Sequence, residues 1–418
     1  MDIWHVRGGN RLIGSSRVQG SKNATLPVLA ASVALPARSE IKNVPRLRDV
    51  DAAVSILAHL GCRVERGEGE LYIDSTGSVG SEIPRELMVE MRSSVIFMGA
   101  LLARCGEARL SLPGGCQLGK RPIDLHLSAL RAMGAQIEEQ GSDLICRAEK
   151  LHGADIELRF PSVGATENIM LAACAAEGRT TIRNAAREPE IEALQDYLTA
   201  LGAHIAGAGS GTVVVCGAAP RESASYTVPG DRIAAATYAC ACAAAGGRII
   251  LSGVKGDHFL TVLHFLNEAG CDIIHFNDIV EIRSDGILRM PQDVVTAPYP
   301  GFPTDAQPIL MAALLRAEGS CRFTETIFEN RYRQVSELRR LGADIGVSGR
   351  RAVLRGVKEL HGETLTASDL RGGAAMIVAG LGARGESRVI DAGHITRGYE
   401  ALDDRLCALG AEVWIEHK

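Results

Sequence analysis

Six copies of one short pattern run through this chain of 418 residues. Each joins an aliphatic or small residue, a glycine and a small residue: Leu60-Gly61-Cys62, Met133-Gly134-Ala135, Leu201-Gly202-Ala203, Ala269-Gly270-Cys271, Leu341-Gly342-Ala343 and Leu409-Gly410-Ala411. The glycines lie 73, 68, 68, 72 and 68 residues apart. A recurring period means a repeated unit, so equivalent positions in each copy can be compared. This period is longer than those of the common solenoids and predicts a small α/β motif rather than a helix pair. The chain is too long for one compact core, so three copies in each of two domains are expected.

Each copy holds two helical stretches of different character. The second, at 49–60, 124–133, 190–201, 259–269, 331–341 and 398–409, alternates apolar and charged residues at helical spacing and ends on the pattern glycine. The first, at 24–35, 95–103, 168–176, 233–245, 306–317 and 374–381, is almost wholly apolar and rich in alanine. A helix apolar all round is buried all round. Three such helices per domain predict helices at the centre and sheets outside them, the inverse of an ordinary α/β barrel. Ordinary helix–sheet layers are the alternative.

Polar residues stand just before each apolar helix: Lys22, Arg92, Ser162, Asp231, Asp305 and Asp369, spaced 70, 70, 69, 74 and 64 residues apart. Ser and Asp there are ordinary N-caps. Capping does not account for Lys22, Arg92, Arg232 and Arg371, because a cation at a helix start is unfavourable unless it faces an anion or a carboxylate. Parallel helices would bring these starts to one end of each domain, where free N–H groups suit anions. The loops before the amphipathic helices, such as 46–49, 187–190, 329–331 and 394–397, carry charges at matched positions.

The loop 112–122, Leu-Pro-Gly-Gly-Cys-Gln-Leu-Gly-Lys-Arg-Pro, combines three glycines, two prolines, adjacent cations and Cys116. Lys120 and Arg121 would lower the thiol pKa, so Cys116 is a candidate acid or nucleophile. The other ten cysteines mostly fall in apolar stretches and are expected to pack the core. An odd count of 11 without a CxxC pair predicts a reduced, cytoplasmic inventory and no zinc site. Net charge is −5, which argues against nucleic-acid or anionic-membrane partners. There is no signal pattern, and no apolar run reaches the roughly 18 residues of a membrane span.

Several segments in order give the chain its resemblance to a known family: GSKNATLPVLAA at 20–31, LPGGCQLGKRPIDLH at 112–126, PSVGATENIM at 161–170, NAAREPEIEAL at 184–194, FPTDAQ at 302–307, TETIFENR at 324–331, SDLRGGAA at 368–375 and TRGYE at 396–400. It resembles the UDP-N-acetylglucosamine 1-carboxyvinyltransferases, enolpyruvyl transferases of peptidoglycan synthesis, over its whole length. The resemblance implies a two-domain inside-out α/β barrel of six βαβαββ-type repeats. Residues 22–229 would form the first domain and 1–21 with 230–418 the second, with the active site in the cleft between them.

The resemblance also implies roles. Lys22, Arg92, Arg121 and Arg397 would clamp phosphoenolpyruvate. Asn23, Ser162, Val163, Gly164, Ile327 and Arg331 would serve the sugar nucleotide, together with Arg92 and Arg121. Asp305 would take or orient the proton of the sugar 3′-hydroxyl, and Asp369 would be a second carboxylate near the reacting carbon. Arg371 would organise Asp369, and Arg232 would support the site. Cys116 would act as the acid or nucleophile that fosfomycin alkylates in the family. No metal or redox cofactor is implied. Where some relatives carry a lysine before the SVGAT segment, this chain has Phe160 and Pro161.

Three rivals stand beside this reading. A 3-phosphoshikimate 1-carboxyvinyltransferase shares the chemistry but not the cysteine loop. A ring around DNA needs cationic inner helices, and these are alanine and leucine. A catalytically silent paralogue is disfavoured by the intact set of polar residues. Oligomeric state is left open.

Overall fold

The computed structural model describes residues 1–91, 93–111 and 123–417. Its repeat is a four-stranded sheet with one parallel and two antiparallel pairings. In the first, Arg38–Lys42 runs parallel to Ser223–Thr227 and antiparallel to Glu70–Asp74, which pairs antiparallel with Arg63–Arg66. The same order recurs in each of the six sheets formed by the described residues. Two of them draw on the start of the chain. Leu12–Arg17 lies parallel to Gly247–Ser252, and Asp2–Arg7 sits between Glu386–Asp391 and Glu412–His417.

Strand burial alternates, as the two-residue period requires. In Arg38–Lys42, Ser39 and Ile41 are buried while Arg38 is exposed. Outward positions carry cross-strand ion pairs such as Arg183 with Asp155 and Arg248 with Glu281. Such exposed pairs are each worth little. They also mark these sheet faces as wet.

The chain divides into two compact units, one of Met1–Gln19 with Gly230–Lys418 and one of the described residues between Gly20 and Pro229. Glycines stand at both junctions for want of room. A Cβ on Gly20 would lie 1.8 Å from the Asn43 carbonyl oxygen, and one on Gly230 would lie 2.0 Å from that of Gly253.

Within one unit the helices Lys22–Ala34, Phe97–Cys105 and Val163–Ala173 pack on one another; within the other, Arg232–Ala245, Gln307–Ala313 and Leu370–Leu381 do so. Alanine and glycine allow this closeness. Gly99 abuts Asn168 so tightly that a Cβ would lie 2.2 Å from its carbonyl oxygen. The amphipathic helices are Arg48–His59, Asp124–Ala132, Pro189–Ala200, Leu260–Glu268, Val335–Arg340 and Leu402–Ala408. The glycines that follow them have φ of 99, 97, 104, 108, 100 and 91°, in order. Only glycine adopts that region without strain, which is why the pattern keeps it.

Some boundaries differ from the sequence expectation. The third apolar helix starts at Val163, not 168, because Ser162 caps it by accepting from the Ala165 N–H. The fifth is short, Gln307–Ala313. The last two amphipathic helices start four residues late. Arg331 is held elsewhere by its side chain, and Ala401, at φ 47°, interrupts the backbone before Leu402. Among the cysteines expected to pack the core, Cys216 and Cys407 are exposed and Cys105 is half-buried.

Candidate active site

In the unit that contains residues 230–417, three buried helices begin at one place. Asp231 caps Arg232–Ala245 by accepting from Ile233 and Ala234, and Asp369 caps Leu370–Leu381 by accepting from Arg371 and Gly372. Asp305 does not cap. The helix start after it falls to Ala306, which leaves the Asp305 carboxylate for two guanidinium groups. Arg331 Nη2 donates to Oδ1 at 3.0 Å and Arg371 Nε to Oδ2 at 3.2 Å. Both arginine side chains are 2% exposed and that of Asp305 is 31% exposed. The result is a carboxylate held at both oxygens yet open to solvent.

The expectation that Arg371 organises Asp369 is corrected in one respect. Its backbone N–H does reach Asp369, at 3.1 Å, but its guanidinium goes to Asp305. That group lies over the Tyr399 ring, 5.2 Å from the centroid. Burial alone would depress its pKa, but Tyr399, Asp305 and Asp231 override this and hold it above its ordinary value. Its two terminal nitrogens are buried, and Tyr399 is a hydrogen-bond partner of the group as well as the ring beneath it.

Arg331 also donates to the Thr304 carbonyl, from Nε at 3.1 Å and Nη2 at 2.9 Å. Glu325 supports this corner. It accepts from Ile327 N–H at 2.7 Å, Phe328 N–H at 3.0 Å and Thr304 Oγ1 at 2.9 Å. Arg397 ends the short helix Ile395–Arg397, and the Gly398 that follows is packed against Leu370. Gln19 holds this turn, donating to the Gly398 carbonyl and accepting from Glu400 N–H. Arg232 lies 5.7 Å from the Tyr299 ring centroid.

In the other unit, Lys22 and Asn23 open helix Lys22–Ala34, which Ser21 caps. Lys22 Nζ meets Asp49 Oδ2 at 3.3 Å, and Asp49 is 3% exposed. A cation at a helix start is tolerable beside such a carboxylate. Ser162, Val163 and Gly164 begin Val163–Ala173, with His126 packed against Gly164. His126 Nδ1 lies 2.8 Å from Asn168 Nδ2, and burial pushes its pKa down to about 4. Phe160 is exposed, and the neighbouring Arg159 pairs with Asp124. Arg92, Cys116 and Arg121 lie outside the described residues.

The structure thus joins Asp305, Arg331 and Arg371 directly and sets Asp369 beside them. Sequence reasoning missed Asp49, Glu325 and Gln19. Asp49 follows Arg48 in a charged loop, which was the available signal; Glu325, flanked by Thr324 and Thr326, gave none. Gln19 carried none.

Residues 6–406 match the family model described as EPSP synthase (3-phosphoshikimate 1-carboxyvinyltransferase). Fold and match together define a carboxyvinyl transferase. The chain is 46% identical to UDP-N-acetylglucosamine 1-carboxyvinyltransferase 2 of Caldanaerobacter subterraneus, over 99% of both chains. It is 44% identical to the UDP-N-acetylglucosamine 1-carboxyvinyltransferase of Gluconacetobacter diazotrophicus, again over 99% of both. The chain belongs to this family of UDP-N-acetylglucosamine 1-carboxyvinyltransferases. Among solved structures, the enolpyruvyl transferase NikO from Streptomyces tendae aligns with TM-score 0.88 and 24% identity over 99% of this chain and 98% of its own. An EPSP synthase from Acinetobacter baumannii aligns at 0.76 and 18% over the full length of both. These two likenesses concern the fold.

Proposed function

We propose that this protein transfers the enolpyruvyl group of phosphoenolpyruvate to the 3′-hydroxyl of UDP-N-acetylglucosamine and releases inorganic phosphate, the first committed step of peptidoglycan synthesis. The observation that carries the chemistry is Asp305, fixed at both oxygens by Arg331 and Arg371 yet open to solvent. A base must be placed before it is useful, and one hydrogen bond from each of two guanidinium groups places it. The names of relatives at 44 and 46% identity over nearly their full length support the sugar nucleotide over shikimate 3-phosphate.

In this reading Asp305 takes the hydroxyl proton while the oxygen adds to C2 of phosphoenolpyruvate and C3 is protonated. The tetrahedral phosphate ketal then loses phosphate and one C3 proton to give the enol ether. Lys22, Arg92, Arg121 and Arg397 bind the phosphate and carboxylate of phosphoenolpyruvate. Cationic donors aimed at developing charge supply much of the rate. The helix start at Ser162, Val163 and Gly164 takes the diphosphate on free N–H groups, with Asn23 and Ile327 as sugar and nucleotide contacts. Asp369 shields the oxocarbenium-like centre, and Cys116 is the acid at C3. Arg232 supports the site.

The fold assigned to this reading is a two-domain inside-out α/β barrel, with domains 22–229 and 1–21 plus 230–418. The reaction would occupy the cleft between them after closure on the nucleotide. Small-angle scattering should then show compaction with UDP-N-acetylglucosamine, and an unchanged radius would reject closure. No helix is long and apolar enough to cross a membrane among the described residues. The reading places the enzyme in the cytoplasm with small-molecule substrates and no cofactor.

The deciding experiment is phosphate release from phosphoenolpyruvate, with and without UDP-N-acetylglucosamine, in wild type and Cys116→Ser. Release that needs the nucleotide and collapses in the variant supports both reaction and thiol, and fosfomycin should then inactivate the wild type. Release with shikimate 3-phosphate instead would overturn the substrate. No release with either would leave a silent paralogue.

A further inference from the structure

Tyr399 follows the short helix Ile395–Arg397, and the Arg371 guanidinium lies over its ring, 5.2 Å from the centroid. Tyr399 is buried, and a buried hydroxyl needs partners. Its Oη lies 2.8 Å from Oγ1 of Thr237, a buried residue within helix Arg232–Ala245. Thr237 Oγ1 also lies 2.8 Å from the Ile233 carbonyl oxygen one turn back, which can only accept. A threonine hydroxyl has one proton. That proton goes to Ile233, so the Tyr399 hydroxyl must be the donor to Thr237. Its lone pairs are left to accept, and Arg371, which has donors only, is a hydrogen-bond partner of Tyr399. The bonds thus run one way, from Arg371 through Tyr399 and Thr237 to the backbone of a different buried helix.

The backbone around this ring is fixed as well. Gln19 donates to the Gly398 carbonyl and accepts from Glu400 N–H, and so grips the residues on either side of Tyr399. Tyr399 N–H itself donates to the Ile395 carbonyl at 3.1 Å. The ring is therefore set at both ends, at the backbone by Gln19 and at the hydroxyl by Thr237. A fixed ring under a guanidinium fixes the plane of that guanidinium. We propose that Tyr399 and Thr237 are positioning residues for the transfer, which hold the Arg371 guanidinium in the orientation that presents Nε to Asp305 Oδ2 at 3.2 Å. The role rests on the reading above, in which Asp305 is the base. Burial holds the Tyr399 pKa above its ordinary value, so the hydroxyl keeps the proton it gives to Thr237. Arg331 fixes the other oxygen of Asp305, so losing the Tyr399 hydroxyl loosens the carboxylate without releasing it.

The test is steady-state phosphate release by the full chain. Tyr399→Phe keeps the ring and deletes the hydroxyl; Thr237→Val keeps the shape and deletes the acceptor. Each should lower kcat about tenfold and leave the KM for UDP-N-acetylglucosamine and for phosphoenolpyruvate within about twofold, because the loss falls on placement of the base and not on binding. The double variant should lose about as much as either single one, since both cut the same chain of bonds. Thr237→Ser, which keeps the hydroxyl, should hold kcat within about twofold. A Tyr399→Phe enzyme at wild-type kcat, losses that multiply in the double variant, KM values that rise as kcat falls, or a Ser variant as slow as the Val variant would overturn the proposal. If the Val variant does not fold, Tyr399→Phe and Thr237→Ser decide. Asp305→Asn separates the two readings. Full turnover in it, or none in the wild type, would sink the base reading and this role with it. A dead Asp305→Asn beside an unimpaired Tyr399→Phe would sink the positioning role alone.

Discussion

Arg371 Nε donates to Asp305 Oδ2 at 3.2 Å, although 66 residues separate the two in sequence. One residue lies two positions before its buried helix and the other is the second residue of the next, so the repeat itself brings them together. Arg331 closes on the opposite oxygen. The carboxylate proposed as the base is thus oriented by groups from the two stretches that follow it in one unit.

Arg371→Lys should lower kcat about a hundredfold, because a lysine cannot hold Asp305 and stack on Tyr399 together, and a misplacement near 1 Å is that costly. The KM for UDP-N-acetylglucosamine should change far less. Steady-state phosphate release gives both numbers, and equal losses in each would refute the orienting role.

Asp49→Asn should raise the KM for phosphoenolpyruvate about tenfold, since Lys22 loses a charged partner worth roughly 1.5–3 kcal/mol. Nucleotide affinity, measured by calorimetry, should stay near wild type. A variant that binds phosphoenolpyruvate normally would show that Lys22 needs no such anchor.

His126 makes stability fall in acid. The unfolded chain takes up this proton near its ordinary value of 6.5, the folded one only near 4. Between those values protons favour the unfolded state, so the contribution present above pH 6.5 is lost as pH falls through the window. It amounts to about 3 kcal/mol in full. Urea midpoints at pH 7.5 and 4.5 should therefore converge in His126→Gln relative to wild type; an unchanged difference would mean that other groups carry the acid sensitivity.

Gly99→Ala should destabilise its unit by about 1–3 kcal/mol, because the added methyl meets backbone of the neighbouring helix rather than a movable side chain. A denaturant melt resolves a change of that size. A neutral result would show that the helices can part at no cost.

Much of this was legible beforehand because glycine and alanine leave strong marks. The pattern glycines announced six helix ends, and all six take the left-handed conformation. The alanine-rich stretches announced helices buried on every side, as Arg232–Ala245 is almost throughout. Boundaries were harder. A reading by apolarity began the third such helix at 168, after Glu167, and so hid a buried acid inside the element. The partner of Arg371 was also hidden. The resemblance pointed to Asp369, whose Oδ1 the backbone N–H groups of Arg371 and Gly372 occupy. Glu325 acts through two backbone N–H groups and the Thr304 hydroxyl, and Gln19 through backbone atoms, and no spacing reveals either.

Asp2–Arg7 and Leu12–Arg17 find their partners among strands that begin at Gly247 or later, up to Glu412–His417. During synthesis the unit between Gly20 and Pro229 therefore has all its strands before either of those segments can pair. Chains proceed at about 5–20 residues per second and domains tend to fold as they emerge. The opening residues must then wait, with Trp4 and Val6 exposed, while the inserted unit closes behind them. A ribosome stalled between the two halves would carry one finished body and a leading strand with no sheet to join.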